Sequence, residues 1–184
     1  MSDEGETRLT LAERLRYGAE AAGFFFLIGI FKVLGLDAAS ALGGFIGREI
    51  LYRTPISNRA RDNLRAAYPE KTSAETEAIL REMWDNLGRT VAEYPHLYKI
   101  SMNGPAPRIE VMHLERSDAA METGKGVLFV SGHFANWEVM AGAAAQRGYD
   151  GGAVYRPVNN PFVDRWIVRQ RMKAGTKEMI TRSE

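Results

Sequence analysis

The sequence predicts an α/β fold in which N-terminal helices, one of them apolar and membrane-associated, precede a sheet that contains a βαβ unit. Three observations support this. From Ser117 onward the pattern runs helix, strand, turn, helix, strand, helix, the alternation from which parallel sheets are built. Val127-Leu128-Phe129-Val130 is an unbroken apolar run with two valines, as in a strand buried on both faces, and Ser131-Gly132 follows it as a sharp turn. Upstream, apolar residues recur instead at helical spacing.

Taken in order, residues 1–20 form a polar leader, 21–47 an apolar membrane-associated helical segment, and 48–184 the α/β domain. Ala21 to Phe31 and Ala38 to Gly47 carry no charge, but neither run reaches the roughly 18 to 20 apolar residues of a full span. Counted through Lys32, whose stem can snorkel, Ala21 to Leu36 suits a marginal span or a helix lying in the interface. No signal-type cleavage motif accompanies it, so export is not expected.

Ser57 and Asn58 after Pro55 are candidate caps for a helix carrying Ala60, Leu64 and Ala67. Ser73, with Glu77 nearby, opens a long helix whose core stripe is predicted to be Leu80, Met83, Leu87 and Val91. Asn103-Gly104-Pro105-Ala106-Pro107 breaks the chain, and Ile109 to Leu114 reads as a short strand holding His113. The remaining pieces are a helix from Ser117 to Glu122, a strand from Gly126 to Val130, and a helix from Trp137 to Arg147. A strand from Gly152 to Arg156 and a helix from Pro161 to Lys173 complete them. Asn159 or Asn160 caps that last helix, because proline suits the first helical position.

With 184 residues, 45% apolar and 26% charged, the chain is long enough for one folded domain with a core. The lack of cysteine excludes disulfides, thiolate metal sites and a cysteine nucleophile. With only His96, His113 and His133, no metal centre is expected, and no cofactor. The net charge of +1 hides an uneven distribution: Arg156 to Glu184 holds seven Lys/Arg against three Asp/Glu. A second basic cluster comprises Arg48, Arg53, Arg59, Arg61 and Arg65. These suit anionic lipid head groups or an acidic partner, or simply a solvated surface; neither is interleaved with aromatics as in nucleic-acid binders.

The candidate chemistry lies at His133 and Glu138. In a continuous helix, residues five apart sit about 140° apart around the axis, so the two side chains can meet only if His133 precedes the helix. The Ser131-Gly132 turn is predicted to arrange this at the mouth of the strand, where open α/β sheets carry their sites. Glu138 would then accept a hydrogen bond from one ring nitrogen, fix the tautomer and stabilise the imidazolium formed when the other nitrogen takes a proton. The expected chemistry is general-base activation of a hydroxyl or water. No Gly-x-Ser-x-Gly elbow is present, which disfavours a covalent serine hydrolase.

His133 and Glu138 as His-x4-Glu, Tyr155-Arg156-Pro157 with Asn159-Asn160-Pro161, and Gly175-Thr176-Lys177 resemble the lysophospholipid acyltransferase superfamily. Arg61-Asp62-Asn63-Leu64 with Pro69, and Trp84-Asp85-Asn86-Leu87-Gly88-Arg89, are similar to its lipid A late acyltransferase branch, the lauroyl and myristoyl transferases. The resemblance implies an enzyme at the cytoplasmic face of the inner membrane. It would move a fatty acyl chain from acyl-carrier protein, or coenzyme A, to a hydroxyl of a lipid A precursor or related glycolipid. It makes His133 the base and Glu138 its orienting partner, with Arg156, Asn136 and Asn159 toward substrate; Trp137 is expected to pack. The resemblance also implies later motifs beyond Glu184, so an acyltransferase-type sheet incomplete at its C-terminal side is expected. A catalytically silent, membrane-associated lipid-binding module is the alternative.

Overall fold

The structure is a computed structural model that describes residues 9–181; the first eight residues of the expected leader, and Arg182 and Glu184 of the basic tail, lie outside the described residues. Thr10 starts α1 (Leu11–Leu34) with a capping box: its hydroxyl accepts from the Glu13 N–H while the Glu13 carboxylate takes the Thr10 N–H. The expected polar leader is therefore helical from Leu11, continuous with the apolar run. Gly35, at φ 78°, turns the chain into α2 (Leu36–Glu49), dividing the expected 21–47 segment into two helices. A 3-10 turn (Leu51–Arg53) leads to α3 (Ser57–Ala67), and α4 (Ser73–Glu93) runs directly into a 3-10 segment (Tyr94–Lys99). Then come α5 (Leu114–Glu122), α6 (Val139–Gln146), β1 (Gly152–Tyr155), α7 (Pro161–Lys173) and β2 (Glu178–Thr181).

The α/β reading holds, with helices dominating. β1 and β2 pair in parallel, Gly152 opposite Glu178 and Tyr155 opposite Thr181, with α7 as the crossover. α7 spans the predicted residues because its start is written locally. Asn160 accepts from the Phe162 and Val163 N–H groups, and Pro161 occupies the first turn. The Asn160 amide also donates to the Tyr17 carbonyl at 2.9 Å, fastening α7 to α1.

Other expectations are corrected. Val127–Val130 joins no strand ladder, and Leu128 and Val130 are 82% and 84% exposed rather than buried. A strand is stabilised by a paired edge, and none of the described residues pairs with this one. Residues 109–113 likewise form no strand; His113 adopts the left-handed conformation (φ 57°) ahead of α5. Ser57 does not cap α3. It is buried, its hydroxyl donates to the Leu51 carbonyl, and it accepts the Trp84 indole N–H at 2.8 Å. Thr72 and Glu75, not Ser73 and Glu77, close the capping box of α4.

The buried stripe of α4 is Thr76, Leu80, Trp84, Gly88 and Ala92; Met83 is exposed and Leu87 and Val91 are half-buried. Backbone proximity selects this stripe. A Cβ added at Gly88 would overlap the Gly43 carbonyl of α2, and one at Gly47 the Trp84 carbonyl, so the two helices cross at a glycine contact. One core cluster gathers Ile28, Phe31, Ala39 and Ala92; a second holds Tyr94, Leu97 and Ile100. Trp166 of α7 packs against both, edge-on to Phe24 at 5.4 Å and tilted against Tyr94 at 5.9 Å. The buried His96 imidazole donates from Nε2 to the Phe31 carbonyl at 2.9 Å, closing the end of α1.

α1 buries Ala21, Ile28 and Phe31 against this core and turns an apolar face outward, with Phe26 74% and Val33 86% exposed. Its 24 residues are long and apolar enough to cross a membrane.

Candidate active site

The loop between Val130 and α6 carries the predicted pair. The left-handed residue that turns it is Ala135 (φ 44°), not Gly132. A left-handed alanine is strained by its Cβ, so neighbouring contacts must hold it. The Ala135 carbonyl accepts from the Asn86 amide at 3.1 Å and from the Thr90 hydroxyl at 3.3 Å, both on α4. The chain then enters α6 with Glu138 as the residue before its first turn, where a carboxylate is favoured by the helix dipole. His133 thus precedes the helix.

Glu138 is 7% exposed, and its carboxylate is gripped by the Arg171 fork of α7, from Nε to Oε2 and from Nη2 to Oε1, both at 2.7 Å. The Trp137 indole N–H donates to the same Oε1 at 2.8 Å. Burial pushes the Glu138 carboxyl up, but hydrogen bonds from Arg171, Tyr94 and Trp137 outweigh it and hold its pKa below the ordinary carboxylate value. Burial, and then the adjacent Glu138 charge, pushes the Tyr94 hydroxyl up, so that it stays protonated beside the ion pair.

His133 is exposed, and its ring packs nearly perpendicular to that of Trp137, with centroids 4.6 Å apart. Among the described hydrogen bonds there is none between His133 and Glu138: the Trp137 indole holds one carboxylate oxygen and Arg171 both. The expected direct contact is thus replaced by an indole lying between the two groups.

Asn136 is wired into the loop. Its amide donates to Glu93 Oε2 at 2.6 Å, and its Oδ1 accepts the Glu138 N–H at 3.1 Å. Arg156, just past β1, and Asn159 are exposed and enter none of the described hydrogen bonds or ion pairs. Beside the loop lies a cleft of about 820 Å³, lined largely by apolar side chains such as Val127, Leu128, Phe129, Val139 and Val154.

Arg171, Tyr94 and the Asn86, Thr90 and Glu93 edge of α4 were not singled out from the sequence as site residues. Arg171 was visible there only as part of the basic tail. Asn86 stands inside the Trp84-Asp85-Asn86-Leu87-Gly88-Arg89 motif, most of whose residues have a distinct contact. Trp84 bonds Ser57, Asp85 pairs with Arg48 at 2.6 Å and Arg89 at 2.5 Å, Asn86 reaches the site loop, and Gly88 meets α2.

Residues 7–184 match the profile of an acyltransferase family, in keeping with the motif resemblance. That family is the bacterial lipid A biosynthesis acyltransferases, and the chain belongs to it. No curated protein and no solved structure matches the chain.

Proposed function

We propose that this protein transfers a fatty acyl chain from a thioester donor, acyl-carrier protein or coenzyme A, to a hydroxyl of a lipid A precursor or related glycolipid, with His133 as general base. The observation that carries the proposal is the placement of an exposed imidazole at a turn that also holds a buried, ionised Glu138, in a chain of this family. In the proposed reaction one His133 nitrogen takes the acceptor hydroxyl proton as that oxygen attacks the thioester carbonyl. The tetrahedral adduct then collapses, the C–S bond breaks, and the imidazolium returns the proton to the departing thiolate. For Glu138 to stabilise that imidazolium, the imidazole replaces the Trp137 indole at Oε1, while Arg171 keeps the carboxylate ionised and fixed.

The exposed Arg156 guanidinium is assigned to a phosphate of donor or acceptor, with Asn159 beside it; Asn136 shapes the loop rather than meeting substrate directly. The outward apolar face of α1, with Phe26 and Val33, supports attachment to the inner membrane, at the cytoplasmic face where such thioesters are found. The commitment of Glu138 to Arg171 favours the alternative, a silent lipid-binding module. Membranes carrying the protein, given acyl-carrier-protein donor and lipid A precursor, separate the two by mass spectrometry of the glycolipid. A gain of one acyl chain that vanishes with His133→Ala supports the transferase. Equal gain from both proteins removes His133 as base, and no gain from the protein at its natural length refutes transfer between these substrates.

A further inference from the structure

The polar edge of α4 reaches the site loop at two successive residues. Asn86 and Thr90 both donate to the Ala135 carbonyl, at 3.1 and 3.3 Å, and Glu93 accepts the Asn136 amide at 2.6 Å. Spaced four and three residues apart, these side chains lie on one helix face. The Thr90 hydroxyl has one proton, shared between Ala135 and the Asn86 carbonyl 3.0 Å away, so Asn86 supplies the undivided bond. Glu93 is itself fixed by the Ser40 hydroxyl of α2 at 2.6 Å. Through Asn136, whose Oδ1 takes the Glu138 N–H, the same edge sets where α6 begins and so where the Glu138 carboxylate stands.

An alanine at φ 44° leaves that conformation unless something holds it, because its Cβ crowds the backbone there. We propose that Asn86, Thr90 and Glu93 are positioning residues of the acyl-transfer site. By capturing the Ala135 carbonyl and the Asn136 amide, they hold the turn in the shape that brings His133 and Glu138 to the same indole, Trp137. The inference rests on the reading of His133 and Glu138 given above. None of the three touches substrate; they act through the loop, and misplacing a reacting group by about 1 Å costs up to roughly 100-fold in rate.

The test uses the protein at its natural length in membranes, with kcat and KM measured for Asn86→Ala/Thr90→Val and for the same double variant carrying Ala135→Gly. Loss of the clamp is expected to lower kcat roughly 10- to 100-fold with KM within about twofold. Glycine removes the Cβ penalty, so Ala135→Gly is expected to restore a large part of kcat. Asn86→Asp, isosteric but without a donor, is expected to reproduce the loss and serves if the double variant does not accumulate. An unchanged kcat, while His133→Ala is inactive, would overturn the positioning role alone. So would a loss that Ala135→Gly does not relieve and that appears equally in KM. A His133→Ala protein that still transfers would overturn the reading of the site, and the positioning role with it.

Discussion

Replacing Arg171 by methionine leaves the Glu138 carboxylate in place and removes the cation that holds it. The pair is bidentate at 2.7 Å, and Glu138 is 7% exposed, so the orphaned charge has little water to turn to. Breaking a buried pair from one side costs about 3 to 5 kcal/mol, which in a domain of this size lowers Tm by roughly 6 to 20 °C. The loss depends on pH with a defined sign. In the wild type, the pKa of Glu138 lies below its unfolded value, so its stabilisation is present above the ordinary carboxylate range and fades as pH falls through the folded value. In Arg171→Met, burial acts unopposed by the cation and raises that pKa; the penalty then appears as pH rises through the raised value. The stability gap between the two proteins should therefore widen from about pH 4 to about pH 7. Thermal unfolding of the detergent-purified proteins at both ends of that interval measures it, with Arg171→Lys expected to fall between them because it keeps the charge but loses the fork. A gap that is the same at both pH values, or below about 1 kcal/mol at neutral pH, would refute the argument that Glu138 is a buried charge neutralised by Arg171.

Gly88→Ala pushes a Cβ into the Gly43 carbonyl and should destabilise by about 1 to 3 kcal/mol or more in denaturant titrations. Gly29→Ala, on α1 with nothing within 4 Å of its Cβ, should instead be neutral or gain about 0.5 to 1 kcal/mol. Phe26→Ser with Val33→Ser removes two exposed apolar side chains of α1, each worth about 1.5 to 3 kcal/mol of burial if lipid covers them. The variant should move from the membrane to the soluble fraction in flotation with its Tm unchanged; undiminished flotation would show that this face is not the membrane contact.

Local chemistry was legible in the sequence where the physics is local. Asn160 and Pro161 determine the start of α7 because one accepts the first free N–H groups and the other has no N–H to satisfy. The His133 and Glu138 spacing lets the two meet only if the histidine stands outside the helix; it stands there, but the carboxylate is bonded to Trp137 and Arg171 instead. The family motifs were equally readable, since they need only residue identity and order.

Tertiary structure decided what depends on partners distant in the chain. Periodicity offered α4 a stripe through Leu80, Met83, Leu87 and Val91; the glycines of α2 selected Leu80, Trp84, Gly88 and Ala92, because only there can two backbones approach so closely. Val127–Val130 has the composition of a buried strand, yet composition cannot provide a paired edge. The partner of Glu138 lies 33 residues away on α7, and the residues holding Ala135 lie 45 and 49 residues back on α4. The sequence determined where the ionisable side chains stand along the chain and which of them begin or cap its helices. Packing decided which of them meet, because burying a carboxylate requires a cation and straining an alanine requires donors, and only the folded chain brings either into reach.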